Sequence, residues 1–411
     1  MPVRTGRQPS YAAITVAICF VIQALGVGTY IAFGVFFNPL MEAFGWSRAA
    51  ISGAASTAFF SMGVFGILVG RLNDRFGPRP ILTVTALLMG LGCALMARLS
   101  TLWELYLYYG IIFGMGLSAI DVIALTTVAR WFTHRRGFMT GIVKVGTGAG
   151  QFVIPLAASG LILIYGWRWS FVFIGGGVAL VLVTIAQWIR RDPRAAGLTI
   201  LPEDGNPAGA SILPTSSLAL GKSLKTVQFW TICLANLLLV FCLMIVMLHI
   251  VPHARDLGLA PIRAAGVLST IGAVSMLGRF VGGMVIDRRG SKTVMTACFF
   301  LLLFGLIWLQ FAHHPWMLYL FAVVYGLAHG GFFTAISPLV AEWFGIGSHG
   351  TLFGIVVFFG TAGGSFGPLI AGHLFDHCGS YQSTFRLITV MAMIAWGLLF
   401  SLKPVDKRAR K

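Results

Sequence analysis

Charged residues are scarce in this sequence, and acidic residues are the scarcest of them. Only 10% of the 411 residues are charged and twelve are acidic, whereas 57% are hydrophobic and the mean hydropathy is +0.88. A soluble domain cannot bury so large an apolar share of its chain. The composition therefore excludes an ordinary soluble protein.

Cysteine is also rare, with six residues in the whole chain. Five of them lie within apolar runs, where cysteine behaves as a small core residue: Cys19, Cys93, Cys233, Cys242 and Cys298. Their spacing fits neither a disulfide framework nor a metal site. The first apolar run is too long for a signal-peptide core and no small-residue cleavage site follows it, so we expect it to remain as a membrane helix.

Long apolar runs are what the sequence has in abundance. Each is about 20 residues or longer, enough to cross a hydrocarbon core. A backbone in lipid must satisfy its own hydrogen bonds, which predicts helices, since barrel strands would be shorter and alternating. The sequence predicts an all-α membrane protein with twelve transmembrane spans, at 11–38, 47–70, 79–97, 102–129, 137–164, 168–189, 226–250, 262–286, 291–311, 315–341, 349–374 and 381–402.

The net charge of +17 reflects membrane topology. With the N-terminus inside, 21 basic residues fall in the inner connections and termini and 6 in the outer ones. This asymmetry follows the positive-inside rule and predicts that both termini are cytoplasmic. We therefore expect a multi-pass protein of the plasma membrane, specifically a bacterial inner membrane, and no nucleic-acid partner.

The chain repeats itself once. The segments "GRLNDRFGPR" (70–79) and "GMVIDRRGSK" (283–292) put Asp74 and Asp287 213 residues apart, and segments 137–155 and 350–368 align at the same offset. Two loci with one spacing indicate a parallel duplication, as in transporters whose halves are related by an axis along the membrane normal. We predict a first bundle at 1–189, a cytoplasmic linker at 190–225, a second bundle at 226–402 and a basic tail at 403–411.

The motif G-x-x-x-D-R-x-G-x-[RK] in both repeats resembles the major facilitator superfamily, and the resemblance covers the whole chain. It implies two pseudo-symmetric six-helix bundles that rock around a central site. It also implies a gating role for the loop residues, which in that family pair with neighbouring helix ends. Those residues are Asp74, Arg75, Asp287 and Arg288 here.

Within the superfamily, "WFTHRRGFMTGIVKVGTGAG" (131–150) is similar to the helix-5 signature of monocarboxylate transporters and bacterial oxalate/formate antiporters. This resemblance implies a carboxylate substrate and assigns its binding to Arg279 of span 8. A span-11 lysine typical of oxalate exchangers aligns with Gly360, which disfavours exchange of dianions.

Three ionisable residues fall inside predicted spans: Asp121, Lys144 and Arg279. Lys144 follows Arg136 by eight residues, about 12 Å along a helix, and the other two lie at nearly the same depth from the cytoplasmic boundary. A charge at such a depth costs at least about 2.5–3.5 kcal/mol, so we expect a water-lined or internal position for all three.

Asp121 and Lys144 lie on spans joined by a short loop, and we expect them to pair. A fixed structural pair, or a Lys144 that snorkels towards the cytoplasm, remains open as an alternative. Arg279 offers a planar fork that matches a carboxylate, and the net charge of +1 at the three residues suits a monoanion. A proton on Asp121 would release Lys144 for the substrate, so we expect H+ as the coupling ion, no metal and no cofactor.

Five further residues are weaker candidates for substrate binding, and helix packing is the alternative for each. They are Tyr30, His249, His329, Phe333 and Phe359.

The sequence as a whole predicts a secondary active transporter of a small monocarboxylate, working as a monomer in the lipid bilayer by proton symport and alternating access. Exchange of one carboxylate for another, of the oxalate–formate type, is the alternative within transport. A polytopic membrane enzyme or receptor is the alternative from another class. Nothing in the sequence resembles a nucleophile–base pair, a metal-ligand cluster or a nucleotide loop, which disfavours an enzyme.

Overall fold

The computed structural model describes residues 8–133, 135–194 and 218–402. Within these ranges the chain is helical and contains no β-strand. The predicted tail at 403–411 and most of the predicted linker at 190–225 lie outside the described residues.

Twelve helices carry the twelve predicted apolar runs. The first continues through a 3-10 turn (Phe33–Phe36) and a short helix (Phe37–Phe44), and the fourth contains a π-helical stretch (Tyr106–Phe113). The helices are α1 (Gln8–Ala32), α2 (Arg48–Phe76), α3 (Pro78–Met96), α4 (Leu102–Trp131), α5 (136–165), α6 (167–186), α7 (Val227–Asp256), α8 (Pro261–Arg289), α9 (Ser291–Gln310), α10 (Pro315–Phe344), α11 (His349–Cys378) and α12 (Gln382–Ser401).

The junction of α5 and α6 is a single residue. Because no loop separates them, α5 and α6 form one helical segment, Arg136–Ala186, with a kink, and with this segment taken as one the described residues contain eleven helices long and apolar enough to span a membrane. Gly166, with φ 74° and ψ 166°, breaks this long helix into two spans. Only glycine adopts that conformation without strain, which explains why the chain turns there without a loop.

We call α1–α6 the first half and α7–α12 the second half. They contact each other chiefly through two helix pairs, α2 with α11 and α5 with α8. We call one end of the bundle the basic end, because it carries the arginine-rich connections α2–α3, α4–α5 and α8–α9, with Arg75, Arg79, Arg135, Arg288 and Arg289. This is the end that the charge pattern predicts to be cytoplasmic.

The two halves touch at the basic end and separate towards the opposite end. On α5, a Cβ added at Gly137 would lie 2.6 Å from the carbonyl oxygen of Gly283 on α8, whereas one at Gly160 would meet no described atom within 4 Å. On α11, a Cβ at Gly354 would lie 2.5 Å from a carbonyl oxygen of α2, whereas one at Gly372 would meet no described atom. The glycines at which an added Cβ would lie within 3 Å of the backbone of the other half therefore lie in the part of the helices nearer to the basic end.

The repeated motif has the same backbone role in both halves. Gly77 ends α2 with φ 82° and Gly290 ends α8 with φ 80°, a region that favours glycine. Each glycine turns the chain sharply so that the aspartate three residues earlier stays on the last turn of its helix. The motif therefore presents Asp74 and Asp287 at equivalent positions of the basic end.

Candidate functional site

Asp121 and Lys144 form an ion pair in the interior of the first half, as the sequence predicts. Asp121 Oδ1 lies 2.5 Å from Lys144 Nζ, and the two side chains are 17% and 5% exposed. Their helices, α4 and α5, bring them together because each residue lies about two helical turns from the basic end. The pair satisfies both charges at a depth where an isolated charge would be costly.

A glutamine of α1 joins this pair. Gln23 is fully buried; its Nε2 donates to Asp121 Oδ1 at 2.8 Å, and its Oε1 accepts from Thr147 Oγ1 at 3.0 Å and from Lys144 Nζ at 3.4 Å. We call Gln23, Asp121, Lys144 and Thr147 the polar cluster. It connects three helices of the first half through side chains alone.

Arg279 faces the polar cluster from α8 of the second half. It is 3% exposed, and its guanidinium Nη1 lies 3.5 Å from where a Cβ at Gly148 of α5 would be. Asp121 attracts it electrostatically. Its Nε and Nη1 are buried and have no hydrogen-bond partner among the described residues. Arg279 therefore lies between the halves, away from lipid, with unused donors.

Ser275, one turn before Arg279 on the same face of α8, does not supply an acceptor for the guanidinium. Its hydroxyl donates to the carbonyl oxygen of Gly272 at 3.0 Å. The Arg279 carbonyl, in contrast, accepts from the hydroxyl of Thr334 on α10 at 3.4 Å. The backbone of Arg279 is thus tied to the second half while its side chain extends towards the first.

Two of the weaker candidates line the same region from α10. The Phe333 ring lies 5.8 Å from Lys144 Nζ, a cation–π contact, and its centroid is 5.0 Å from that of His329. His329 is 6% exposed, and its Nδ1 has no hydrogen-bond partner among the described residues. Both side chains can therefore reach a ligand held between Lys144 and Arg279.

Three other candidates lie elsewhere. The Tyr30 hydroxyl donates to Ala55 of α2 at 3.4 Å, about two helical turns from Gln23. His249 is engaged at both ring nitrogens, at 3.1 Å from the Tyr381 hydroxyl and 3.1 Å from the Pro368 carbonyl, so it ties α7 to α11. Phe359 packs against Trp230, whose indole is 47% exposed on the outside of the bundle. For these three residues the alternative of helix packing fits the geometry better.

The first of the two motif aspartates is held by both halves. Asp74 Oδ1 lies 2.5 Å from Arg130 Nη2 of α4, and this pair is 13% and 4% exposed. The carboxylate also accepts from the backbone N–H groups of Gly350 and Thr351 and from the Thr351 hydroxyl, at 3.0, 2.7 and 2.8 Å. Asp74 therefore caps the N-terminus of α11, where the free N–H groups and the helix dipole favour an anion.

The second motif aspartate caps α5 in the same way but without an arginine of its own half. Asp287 accepts from the N–H groups of Gly137 at 2.7 Å and Phe138 at 2.9 Å. At the position equivalent to Arg130, α10 has Glu342, which accepts from Ser291 Oγ at 2.7 Å and attracts Arg136 of the first half. These groups line a cavity of about 290 Å³ at the basic end.

The two motif arginines do not bind helix ends. Arg75 is exposed and its guanidinium lies over the ring of its neighbour Phe76, 5.1 Å from the centroid, and Arg288 is also exposed. The described residues include no helix end bound by either guanidinium, so the gating role of the two arginines stays a prediction. The physical reason is direction, since each follows the capping aspartate by one residue and so points about 100° away from it.

No group of three or more His, Cys, Asp or Glu side chains within the described ranges is arranged to hold a metal ion. The six cysteines are unpaired, five of them buried and Cys378 exposed.

Three residues that complete these sites were missed by the sequence reading. They are Gln23, Arg130 and Glu342, none of which the sequence singles out as a site residue. Their position within apolar helices was the available signal. It does not identify the partner on another helix.

The chain resembles known membrane proteins over nearly its full length. The family model of the Major Facilitator Superfamily matches residues 16–293 and 254–411. Monocarboxylate transporter 13 of Bos taurus is 29% identical over 95% of this chain and 88% of that protein. Monocarboxylate transporter 11 of Homo sapiens is 27% identical over 91% of this chain and 79% of that protein.

A solved structure of the proton:xylose symporter XylE, bound to 6-bromo-6-deoxy-D-glucose, superimposes with a TM-score of 0.78. The two chains are 16% identical, and the match covers 96% of each. At that identity the likeness establishes a common fold and carries no information on the ligand.

Proposed function

This chain belongs to the Major Facilitator Superfamily and is related to its monocarboxylate transporters, and on that basis we propose that it carries a small monocarboxylate across a membrane together with a proton. The superfamily and fold predicted from the sequence are confirmed, and the chain is a transporter, not an enzyme. We further propose a monomer in a bacterial inner membrane, with both termini in the cytoplasm.

The observation that carries this proposal is the unused guanidinium of Arg279. Buried polar groups are almost always hydrogen-bonded, and Nε and Nη1 of Arg279 have no partner among the described residues. A carboxylate supplies two acceptors in the geometry of this fork and neutralises its charge. A substrate carboxylate bound at Arg279 would also lie near Lys144, Phe333 and His329.

The charges of the site favour one anion accompanied by one proton. Lys144 and Asp121 compensate each other, which leaves the single positive charge of Arg279 for a monoanion. A proton on Asp121 removes the charge that holds Lys144, so the ammonium becomes available to the same substrate. When the proton leaves, Asp121 recovers Lys144 and the site releases the anion. Anion and proton then cross together, and no net charge moves.

The closed basic end indicates which state of the transport cycle this structure represents. With this end in the cytoplasm, contacts of α2 with α11 and of α5 with α8 close the inner side, while the helices diverge on the outer side. We assign this arrangement to the outward-facing state of alternating access. The caps made by Asp74 and Asp287 stabilise it, because each joins a carboxylate of one half to a helix end of the other.

Exchange of dicarboxylates fits this chain less well than monocarboxylate symport. Where oxalate exchangers carry a second cation, this chain has Gly360, and a Cβ there would lie 2.5 Å from Nδ2 of Asn236. Asn236 in turn donates to the carbonyl oxygen of Val356 at 2.8 Å. The position carries no charge, so it supplies no further cation for a dianion.

Counterflow in liposomes tests the carrier function. We expect liposomes loaded with an unlabelled monocarboxylate to accelerate entry of the labelled acid, because only a carrier exchanges substrate across the membrane. A panel of lactate, pyruvate, formate, glycolate and an aromatic acid identifies the substrate. Arg279→Ala should lower uptake by about 100-fold, the equivalent of one lost hydrogen-bonded charge pair at about 3 kcal/mol.

The control is Arg386→Ala, which removes an exposed guanidinium from α12 and should leave uptake unchanged. Normal uptake by a folded Arg279→Ala variant would refute the assignment of the carboxylate site. The proton is tested by Asp121→Asn, which should retain counterflow but lose acceleration by an inward pH gradient. Normal proton coupling in that variant would refute symport through Asp121.

A further inference from the structure

The two oxygens of Asp121 have different surroundings. Oδ1 accepts two hydrogen bonds, from Lys144 Nζ at 2.5 Å and from Gln23 Nε2 at 2.8 Å. Oδ2 accepts none from any residue that the structure describes. The side chain keeps 17% of its surface exposed. A carboxylate oxygen with two donors has little capacity for a third, so a proton that reaches this residue has room on Oδ2 only.

The orientation of the Gln23 amide follows from its four neighbours. Nε2 donates to Asp121 Oδ1 and to the Ile120 carbonyl oxygen at 3.2 Å, and neither of these oxygens can donate in return. Oε1 accepts from Thr147 and Lys144, and an ammonium cannot accept. A flipped amide would lose these contacts. Gln23 is thus matched to an ionised Asp121 and a charged Lys144.

We propose that Gln23 is a positioning residue for proton coupling, which holds Asp121 through Oδ1 and leaves Oδ2 as the atom that takes and releases the transported proton. This inference rests on the proposed proton symport. Gln23 touches neither the proton nor the substrate in this arrangement. It acts on the proton by stabilising the ionised form of Asp121, and on the substrate by retaining Lys144 near the site after Asp121 is neutralised.

The charged groups that act on Asp121 come from two helices. They are Lys144 of α5 and Arg279 of α8, and Gln23 of α1 adds an uncharged donor. His329 of α10 packs against Phe333, whose ring lies 5.8 Å from Lys144 Nζ, and it interacts with the charges of Arg279 and Lys144. The helices α2, α3 and α11 also pack against α4, but they carry their acidic, basic and histidine residues only towards their ends. Gln23 is therefore the uncharged side chain whose hydrogen bond to Asp121 favours the ionised over the protonated carboxylate.

The test is the pH profile of proton-driven uptake in Gln23→Met, a substitution that keeps the length of the side chain and removes its donor and acceptor. Without the donor, the ionised carboxylate loses stabilisation, and Asp121 retains its proton to higher pH. We expect the pH of half-maximal uptake to rise by about one unit. Thr147→Val, which removes one donor to Gln23 Oε1, should give a smaller shift in the same direction.

The control is Thr15→Val on the same helix, whose hydroxyl bonds only the Tyr11 carbonyl, and its midpoint should match the wild type. Counterflow at one fixed pH shows that each variant is folded. A midpoint in Gln23→Met that is unchanged or lower overturns the inference. If Gln23→Met gives no counterflow, Thr147→Val decides, and an unchanged midpoint there overturns it. A wild-type protein without proton-driven uptake refutes symport itself and is thereby distinguished from failure at Gln23.

Discussion

The two halves of the molecule hold their central and motif charges in different ways. In the first half Asp121 pairs with Lys144 and Asp74 pairs with Arg130, so each of these four charges has a partner of the same half. In the second half, Arg279 and Asp287 form no salt bridge with each other or with any described residue of their own half. Asp287 instead accepts from backbone N–H groups of the first half.

This difference assigns different tasks to the charged residues of the two halves. A charge compensated within one half keeps its partner when the halves move, so it contributes to the stability of that half. A charge without such a partner is satisfied by the opposite half, by water or by a ligand. The contacts of Arg279 and Asp287 therefore depend on the conformational state, whereas the pair of Arg130 with Asp74 does not.

Breaking the pair in the first half should have the largest effect. Lys144→Met leaves a buried carboxylate without its cation and should lower the free energy of unfolding by about 3–5 kcal/mol. The double variant Lys144→Met/Asp121→Asn removes both charges and should recover most of this loss. Denaturant unfolding in detergent at pH 7 measures both. Equal stability of the single and double variants would contradict the idea that the pair is compensated within its half.

Substitution of the motif aspartates should lower the free energy of unfolding by an intermediate amount. Asp74→Asn leaves the buried Arg130 without its carboxylate partner and weakens a helix cap, so we expect a loss of about 3 kcal/mol. Asp287→Asn weakens only a cap on α5, for which about 1 kcal/mol is expected. Thermal unfolding of the two variants side by side measures the difference. A larger loss for Asp287→Asn would reverse the proposed roles of the two halves.

The motif arginines should give the smallest effect. Arg75 and Arg288 are exposed, and neither is bound to a helix end. We expect Arg75→Ala and Arg288→Ala to change the free energy of unfolding by less than about 0.5 kcal/mol. The same unfolding assay applies, with Arg130→Ala as the destabilised reference. A loss as large as that of Arg130→Ala would support the gating role that the family resemblance implies.

The sequence predicts those features that depend on a single helix or on two helices joined by a short loop. Span length and the need for internal hydrogen bonding predicted the twelve helices, and distance from the arginine-rich loops predicted that Asp121, Lys144 and Arg279 share one depth. The pairing of Asp121 with Lys144 followed from a short loop between their helices. These inferences need only the rise of a helix and the cost of a buried charge.

Contacts between helices that are distant in the sequence could not be predicted, because the sequence does not show which of these helices are neighbours. The periodicity of α1 gives the direction of Gln23 relative to Tyr30, but not the helix it faces, so its contact with Asp121 could not be derived. The same limit hid the bond from Arg130 to Asp74. For His249 the sequence left packing and substrate binding both open, because its two partners, Tyr381 and Pro368, lie more than a hundred residues away.

The single-residue junction at Gly166 has a consequence for the surrounding lipid. With no loop between them, α5 and α6 cannot tilt independently, and α5 carries Lys144. Both helices expose bulky apolar side chains on the surface of the bundle, such as Leu163 of α5 and Leu180 of α6, 87% and 70% exposed. A bilayer whose thickness mismatches these helices changes their tilt. Because Gly166 joins the two helices directly, the thickness of the bilayer acts on the position of the Lys144 ammonium group at the centre of the protein.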